Sequence, residues 1–334
     1  MVSMTRRTRE VREQEELDLL SPAATLSTAT RGREYDEEPD PYRTAYERDR
    51  DRILHSKAFR RLKHKTQVFI NPDGDHFVTR LTHTLQVTQI GRAMAASLGL
   101  NEALTEAICL GHDVGHSPFG HTGEEALTPY VAEGEWLHSA QSVRVFRVLE
   151  PLNLTWEVLD GIRAHSWKVD LPPNTPEGYL CRFADRIAYL THDVEDALRA
   201  GVLSHGDIPR GALATFGEPG SEWISTMIDA VIDESLEQDH VAMRPAVQQQ
   251  MDEFRTFMFE RVYLRDQAQP QQHRAIAVIR DLVDHFIQHP DEIRDTYRHD
   301  DATPVVQAID YVSGMTDRYA LQIHDRLFRP EGIA

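Results

Sequence analysis

Apolar residues along this chain recur at three- and four-residue intervals. Val87, Ile90, Met94 and Leu98 form one stripe, Val143, Phe146 and Leu149 a second, and Ile276, Ile279, Val283 and Phe286 a third. A helix turns every 3.6 residues, so each stripe predicts one buried helical face. Period-two alternation is scarce, and Gln67-Val68-Phe69-Ile70 is the best short extended candidate. The expected fold class is therefore all-α. Turn-forming residues predict loops at Asn71 to Asp75, at Leu171 to Gly178 with its three prolines, at Gly211 to Glu222, and between two helices at Gln267 to Gln272. The stretch Arg33 to Pro41 is acidic, carries two prolines and reads as a linker, so residues 1–41 are expected to be a charged, partly disordered arm. No internal repeat is visible, and no boundary divides two cores.

Composition narrows the class. With 334 residues and 40% hydrophobic content the chain can bury a sizeable core. It lacks any run of about 18 apolar residues, so no transmembrane helix and no membrane partner are expected. Its two cysteines, Cys109 and Cys181, each lie beside apolar residues, which points to a reducing compartment. The opening residues are charged and lack an apolar signal core, so a cytoplasmic location is expected. A net charge of −18 argues against a surface wholly devoted to nucleic acid. It leaves room for a local basic site, and Arg48, Arg50, Arg52, Arg60, Arg61, Lys63 and Lys65 supply one. Asp49 and Asp51 alternate with the first three, which predicts helix ion pairs there. Arg60, Arg61 and Lys65 read instead as a nucleotide-binding or subunit-interface group.

Candidate chemistry concentrates in Gly111-His112-Asp113-Val114-Gly115-His116-Ser117-Pro118-Phe119-Gly120-His121. Imidazoles and carboxylates are ligands for a borderline divalent metal, and clustered polar groups leaving water need such a partner. Ala107, Ile108 and Leu110 lead into the segment, so it starts at the end of a buried element. Further candidate ligands are His83 and Asp185, each beside apolar helical residues. His116 follows His112 by four residues and shares its face if the helix continues. After the Pro-Phe-Gly break, one turn of a new helix would bring His121 to Glu124. A carboxylate holding an imidazole fixes its tautomer and raises its basicity, which suits general acid–base work.

The order His, His-Asp, Asp is the pattern of the HD phosphohydrolase superfamily. The run His112 to Glu124 resembles the corresponding segment of deoxyguanosinetriphosphate triphosphohydrolase-like proteins. So do Arg48 to Ser56, Phe59-Arg60-Arg61-Leu62, Lys65-Thr66-Gln67-Val68-Phe69, Thr82 to Val87, and Trp136-Leu137-His138 with Gln141-Ser142. The similarity continues in Ala184 to Tyr189, His192 to Asp196 and Asp310 to Ala320, and covers roughly Arg31 to Pro330. Departures are Val114, Gln86 and Ser139-Ala140, none of them a proposed ligand. The resemblance implies an HD-type helical fold with additional N- and C-terminal helices. Residues 42–334 would form one domain, with an HD core over about 80–200 and a helical extension over about 222–330.

The implied reaction is hydrolysis of a dNTP, dGTP or others, to a deoxynucleoside and inorganic triphosphate, with water attacking the α-phosphorus. By resemblance His83, His112, Asp113 and Asp185 hold the metal, His116 lies beside it, His121 with Glu124 transfers protons, and His138 contacts the phosphates. Two histidines and two carboxylates suit Mn, Fe, Co or Zn, while Mg²⁺ bridges triphosphate. Asp185, Tyr189 and Asp193 are four residues apart and share one helical face. Asp193 can accept a hydrogen bond from a 3′-hydroxyl, and Tyr189 can pack on the sugar. Arg255 and Tyr263 repeat the spacing with Phe259, and the resemblance puts the arginine on phosphate and the tyrosine near the sugar. Arg80 and Arg186 are further phosphate candidates, and Gln67 a partner for a sugar hydroxyl. A regulatory dNTP, single-stranded nucleic acid and a second copy of the chain are the other expected partners. The competing readings are an HD nucleotidase or phosphodiesterase, and a nucleic-acid-binding regulator.

Overall fold

A computed structural model describes residues 5–70, 76–265, 268–299 and 301–330. Among them are fifteen α-helices and no strand. In chain order these are α1 (Arg9–Leu19), α2 (Ala45–His55), α3 (Lys57–Arg61), α4 (Arg80–Leu98), α5 (Glu102–Gly111), α6 (His121–Leu127), α7 (His138–Arg144) and α8 (Trp156–Ala164). They continue as α9 (Pro176–Arg199), α10 (Arg210–Phe216), α11 (Ser221–Gln238), α12 (Pro245–Met258), α13 (Gln269–Gln288), α14 (Pro304–Ser313) and α15 (Asp317–Phe328). The chain is all-α, as its periodicity predicts. Among the described residues no helix is long and apolar enough to cross a membrane.

Helices α4, α5 and α9 form the centre, and their ends follow from local chemistry. The Asn101 side chain accepts the Leu104 N–H and starts α5. Thr175 accepts the Gly178 N–H and, with Pro176 at the first position, starts α9. Gly99, at φ 64°, closes α4 in the left-handed conformation that glycine adopts freely. A Cβ on Gly91 would stand 2.9 Å from Cys109 Sγ, so the missing side chain lets α4 and α5 approach.

The apolar interior falls into two clusters. The larger joins α2, α4, α5, α8, α9, α11 and α12 around Ile90, Ile108, Ile187 and Trp223. The smaller joins α6, α13, α14 and α15 around Leu127, Ile279, Leu282 and Val312. No sequence boundary marks them, because Phe119 to Trp136 pack with residues 275–323. Val114 belongs to the first cluster and Phe119 to the second, so the loop from His112 to Gly120 spans the seam between them.

Several sequence expectations need correction. Among the described residues Gln67 to Ile70 pair with no strand, and an isolated bridge joins Thr66 to Thr79. The loop at Gly211 to Glu222 shrinks to Gly217–Gly220, because α10 and α11 occupy its two ends. Likewise α9 begins at Pro176 and α13 at Gln269, inside segments expected to be loops. The stretch Asn71 to Asp75 lies outside the described residues, as does Gln267. The N-terminal segment carries α1 and is tied to the domain by buried carboxylates. Glu177 accepts the Thr25 N–H at 3.0 Å, Glu157 accepts the Arg31 N–H at 2.7 Å, and Asp49 pairs with Arg33. Arg52 reaches Glu37 at 2.7 Å, so the acidic stretch neutralises a basic helix. The ion pairs expected of the Arg-Asp-Arg-Asp-Arg run therefore reach beyond the run itself.

Candidate metal centre

Helix α5 stops at Gly111, so His116 does not continue its face; a turn follows and carries His112, Asp113 and His116 inward instead. Gly115 permits that turn, since a Cβ there would strike the backbone of Ser142. The Ser142 hydroxyl fastens it, donating to the His112 carbonyl at 2.8 Å and accepting the Gly115 N–H at 2.9 Å.

His83 on α4, His112 and Asp113 in the turn, and Asp185 on α9 converge. His83 Nε2 lies 3.1 Å from Asp185 Oδ1, and His112 Nε2 lies 3.5 Å from Asp113 Oδ1 and 3.8 Å from Asp185 Oδ1. His112 donates through Nδ1 to the Cys109 carbonyl at 2.6 Å, which leaves the lone pair of Nε2 pointing into the cluster. That nitrogen is buried and has no hydrogen-bond partner. A buried unpartnered imidazole nitrogen facing two carboxylates is what a divalent cation would satisfy. The donor set thus fits the metal expected from the sequence. Burial alone would push both carboxyls up. The neighbouring His112, Arg80 and His116 instead hold Asp113 well below the usual range, and His83 with His112 brings Asp185 down to about 2. Both are carboxylates at neutral pH, the form a metal requires.

A second chain of groups leads away from Asp113. His121 opens α6 and its Nδ1 lies 2.8 Å from Glu124 Oε2. Glu124 Oε1 accepts the backbone N–H of His138 at 2.9 Å and meets its Nδ1 at 2.6 Å. His138 Nε2 then meets His165 Nε2 at 3.0 Å. His165 donates through Nδ1 to the Ile162 carbonyl, so its Nε2 is an acceptor. His138 therefore faces acceptors at both nitrogens. Burial would lower its pKa, but Glu124 raises it. His165 goes the other way, down to about 3, through burial and the nearby His112 and His138. His116 stacks on His138 with ring centroids 3.9 Å apart. His121 is open to the cleft, its side chain 70% exposed.

The remaining candidates divide. Asp193 is buried and accepts the Tyr263 hydroxyl at 2.7 Å through Oδ2, while its Oδ1 has no partner among the described residues. Tyr189 lies one turn away on the same face of α9, with Arg255 beside its hydroxyl and over the Phe259 ring. Gln67 Oε1 is also buried without a partner. Arg80 is buried and bonds Asp113 at 2.7 Å, so it orients a candidate ligand. Arg186 reaches Asp252 at 2.9 Å and stacks on Trp167 at 4.2 Å. Lys65 corrects the sequence expectation of an accessible basic group. It is buried, and its ammonium donates to the carbonyls of His116 and Ser313.

Comparison with known proteins places this geometry in a family. Residues 80–190 match the HD domain, and residues 241–326 match the phosphohydrolase-associated domain. A deoxyguanosinetriphosphate triphosphohydrolase-like protein of Caldanaerobacter subterraneus is 46% identical over 328 residues, covering 96% of both chains. Another, from Desulfatibacillum aliphaticivorans, is 43% identical over 96% of this chain and 98% of its own. The chain belongs to the deoxyguanosinetriphosphate triphosphohydrolase-like family. It is a phosphohydrolase of the HD type. A phosphohydrolase from Bacteroides thetaiotaomicron shares the fold at 17% identity, with a TM-score of 0.51 over 84% of this chain and 69% of that one.

Three residues of this family member escaped sequence reasoning. His165 completes the imidazole chain, yet it follows α8 with no motif around it. Lys65, grouped in the sequence with Arg60 and Arg61 as a nucleotide-binding or subunit-interface residue, instead anchors the His116 and Ser313 carbonyls. Asp317 accepts the Phe119 N–H through Oδ1 and the Thr66 N–H through Oδ2, both at 3.0 Å. Phe119 has φ 61° and Gly120 φ 59°. A bulky residue held left-handed stores about 1–3 kcal/mol of strain, and Asp317 is what holds it. Gly120 also makes room for Arg80, whose Nη2 would lie 2.8 Å from a Cβ there.

Proposed function

We propose that this protein hydrolyses deoxynucleoside triphosphates to a deoxynucleoside and inorganic triphosphate. The carrying observation is the free Oδ1 of Asp193, two turns along α9 from Asp185 and buttressed by the Tyr263 hydroxyl. A buried carboxyl oxygen without a partner is a receptor for a hydroxyl group, which can donate to it or accept from it, and its distance along the helix suits a sugar whose phosphates reach Asp185. Tyr189 lies between the two and closes the pocket against a bulkier sugar.

His83, His112, Asp113 and Asp185 would hold the metal, with Mn²⁺, Mg²⁺, Fe, Co and Zn as candidates. Once bound, such an ion neutralises charge on the phosphate oxygens. Water forms a bond to the α-phosphorus, the bond to the 5′-oxygen breaks, and that oxygen takes a proton as the deoxynucleoside leaves. Glu124 holds His121 through Nδ1, so Nε2 is the nitrogen at which a proton enters or leaves. His116, stacked on His138, lines the way from Glu124 to Asp113 and presents an N–H toward the phosphates, while both nitrogens of His138 are taken by Glu124 and His165, so it fixes that path. Arg255 offers charge beside Tyr189.

A cytoplasmic homo-oligomer, a regulatory dNTP and single-stranded nucleic acid complete this reading. The test is an assay of each dNTP, singly and in pairs, with Mg²⁺ or Mn²⁺ and chromatographic identification of products. Intact triphosphate is expected. Release of phosphate or pyrophosphate overturns the proposal in favour of a nucleotidase, and salt-sensitive strand binding without turnover favours a regulator.

A further inference from the structure

Away from the metal centre, a cleft of about 300 Å³ opens where α3 meets the C-terminal helices. Arg61, Arg294, Tyr297, Tyr311, Thr316 and Tyr319 line it, and no carboxylate does. In a chain of net charge −18 that is unusual company for two guanidinium groups. Arg33, Arg50, Arg52, Arg80, Arg144 and Arg186 each meet a carboxylate. Among the described residues Arg61 and Arg294 meet none, nor do Arg60 and Arg182, whose guanidinium groups are taken up by backbone carbonyls instead.

Arg61 is half-buried, and its Nε is sealed from solvent without a hydrogen-bond partner. Arg294 donates to the Tyr319 hydroxyl, at 3.0 Å, and lies within hydrogen-bonding reach of the Tyr311 hydroxyl. Because that hydroxyl accepts, its own proton is free to turn toward the Tyr311 hydroxyl, 3.4 Å away, or into the cleft. The Tyr297 hydroxyl rests against Gly314, where a Cβ would stand 2.6 Å from it, so the floor is shaped to admit this ring. Two cations, three phenol hydroxyls and no anion make a receptor for an oxyanion. Guanidinium forks match phosphate oxygens in particular.

We propose that this cleft binds the phosphate of a small phosphorylated molecule, at a site separate from the metal centre. Its volume exceeds that of one phosphate group, so the tyrosine rings are left to cover the rest of the ligand. The floor connects directly to the catalytic loop. The Ser313 carbonyl, just before it, accepts from Lys65, and Asp317, just after it, holds Phe119 and Thr66. A ligand there restrains the same backbone that anchors His116 and Phe119.

Inorganic pyrophosphate is the probe, titrated calorimetrically into the full chain loaded with Mn²⁺. Arg294→Gln changes an exposed residue, and Arg61→Gln a half-buried one. Each is expected to weaken one pyrophosphate-binding event by about tenfold or more, the loss of one charged hydrogen-bond pair. His112→Ala, altered at the metal centre, is expected to keep that event. Unchanged binding in Arg294→Gln overturns the proposal, as does disappearance of all pyrophosphate binding in His112→Ala. A single-stranded oligonucleotide that displaces pyrophosphate from the wild type but not from Arg294→Gln overturns the assignment to a small molecule.

Discussion

The Asp317 carboxylate receives the backbone N–H of Phe119 at 3.0 Å, across 198 residues of sequence. Its other oxygen receives Thr66 N–H, beside Gln67. One side chain in the C-terminal cluster therefore sets the left-handed corner that launches His121 and the start of the Gln67 segment. An asparagine keeps the shape but turns an amide N–H₂ on one of these donors. Asp317→Asn is expected to lower kcat by roughly ten- to a hundredfold with KM for a dNTP little changed, since misplacement affects the reacting geometry most. Metal content, read by plasma mass spectrometry, is expected to stay at the wild-type level. Loss of metal in parallel with activity would count against a positioning role.

The proposed function gives the two imidazole groups different tasks, and their variants are expected to divide likewise. His112 presents a buried, unpartnered Nε2 to two carboxylates, whereas His121 stands open on Glu124. His112→Ala is expected to lose bound metal and activity together. His121→Ala is expected to retain metal and lose roughly 10²- to 10⁴-fold in kcat, the range of a lost general acid or base. Full turnover in His121→Ala sinks the proton-transfer assignment.

Much of this site is legible in the sequence because helices convert spacing into proximity. Asp185, Tyr189 and Asp193 lie on one face of α9 because they are four apart on one helix, and His121 meets Glu124 because the two are one turn apart. Contacts that depend on packing between distant helices leave no such trace. Lys65 reaches His116 across 51 residues, and His138 reaches His165 across 27. A lysine in a basic run gives no sign that its ammonium is buried under two carbonyls. Glycine does not mark a loop at every position here: Gly211 lies inside α10, and only Gly217 and Gly220 lie between helices. Among the described residues the run ending at Ile70 has no strand to pair with, so its propensity goes unused.

Asp193 carries a pH signature. Burial raises its carboxyl from the ordinary 3.8 to about 7, against the opposing Tyr263 hydrogen bond and His83, with Asp196 adding to the rise. The folded protein then holds a proton that the unfolded chain releases between those two values. Its contribution to stability is present at low pH and declines as pH rises through that window. Asp193→Asn is expected to flatten this decline in the metal-free protein. Thermal midpoints of both proteins, measured from about pH 4 to about pH 8, test it. Parallel curves for variant and wild type exclude a buried, proton-holding Asp193.

Glu124 decides which nitrogen of His121 carries the proton. As a carboxylate it only accepts, so His121 donates through Nδ1 and keeps Nε2 free for the reacting centre. Burial would raise the Glu124 carboxyl, yet His138 and His121 hold it well below its ordinary range, so it is ionised throughout the working range. In Glu124→Gln, the amide oxygen keeps the two bonds from His138, and the amide N–H₂ is left facing His121. The neutral imidazole must then accept at Nδ1 and carry its proton on Nε2, the reverse of the native tautomer. That variant is expected to keep its metal and its fold while losing roughly 10²-fold or more in kcat. Nitrogen-15 shifts of the His121 ring, measured in both proteins, read the tautomer directly. An unchanged tautomer accompanied by the loss of activity means that Glu124 acts on His138 instead.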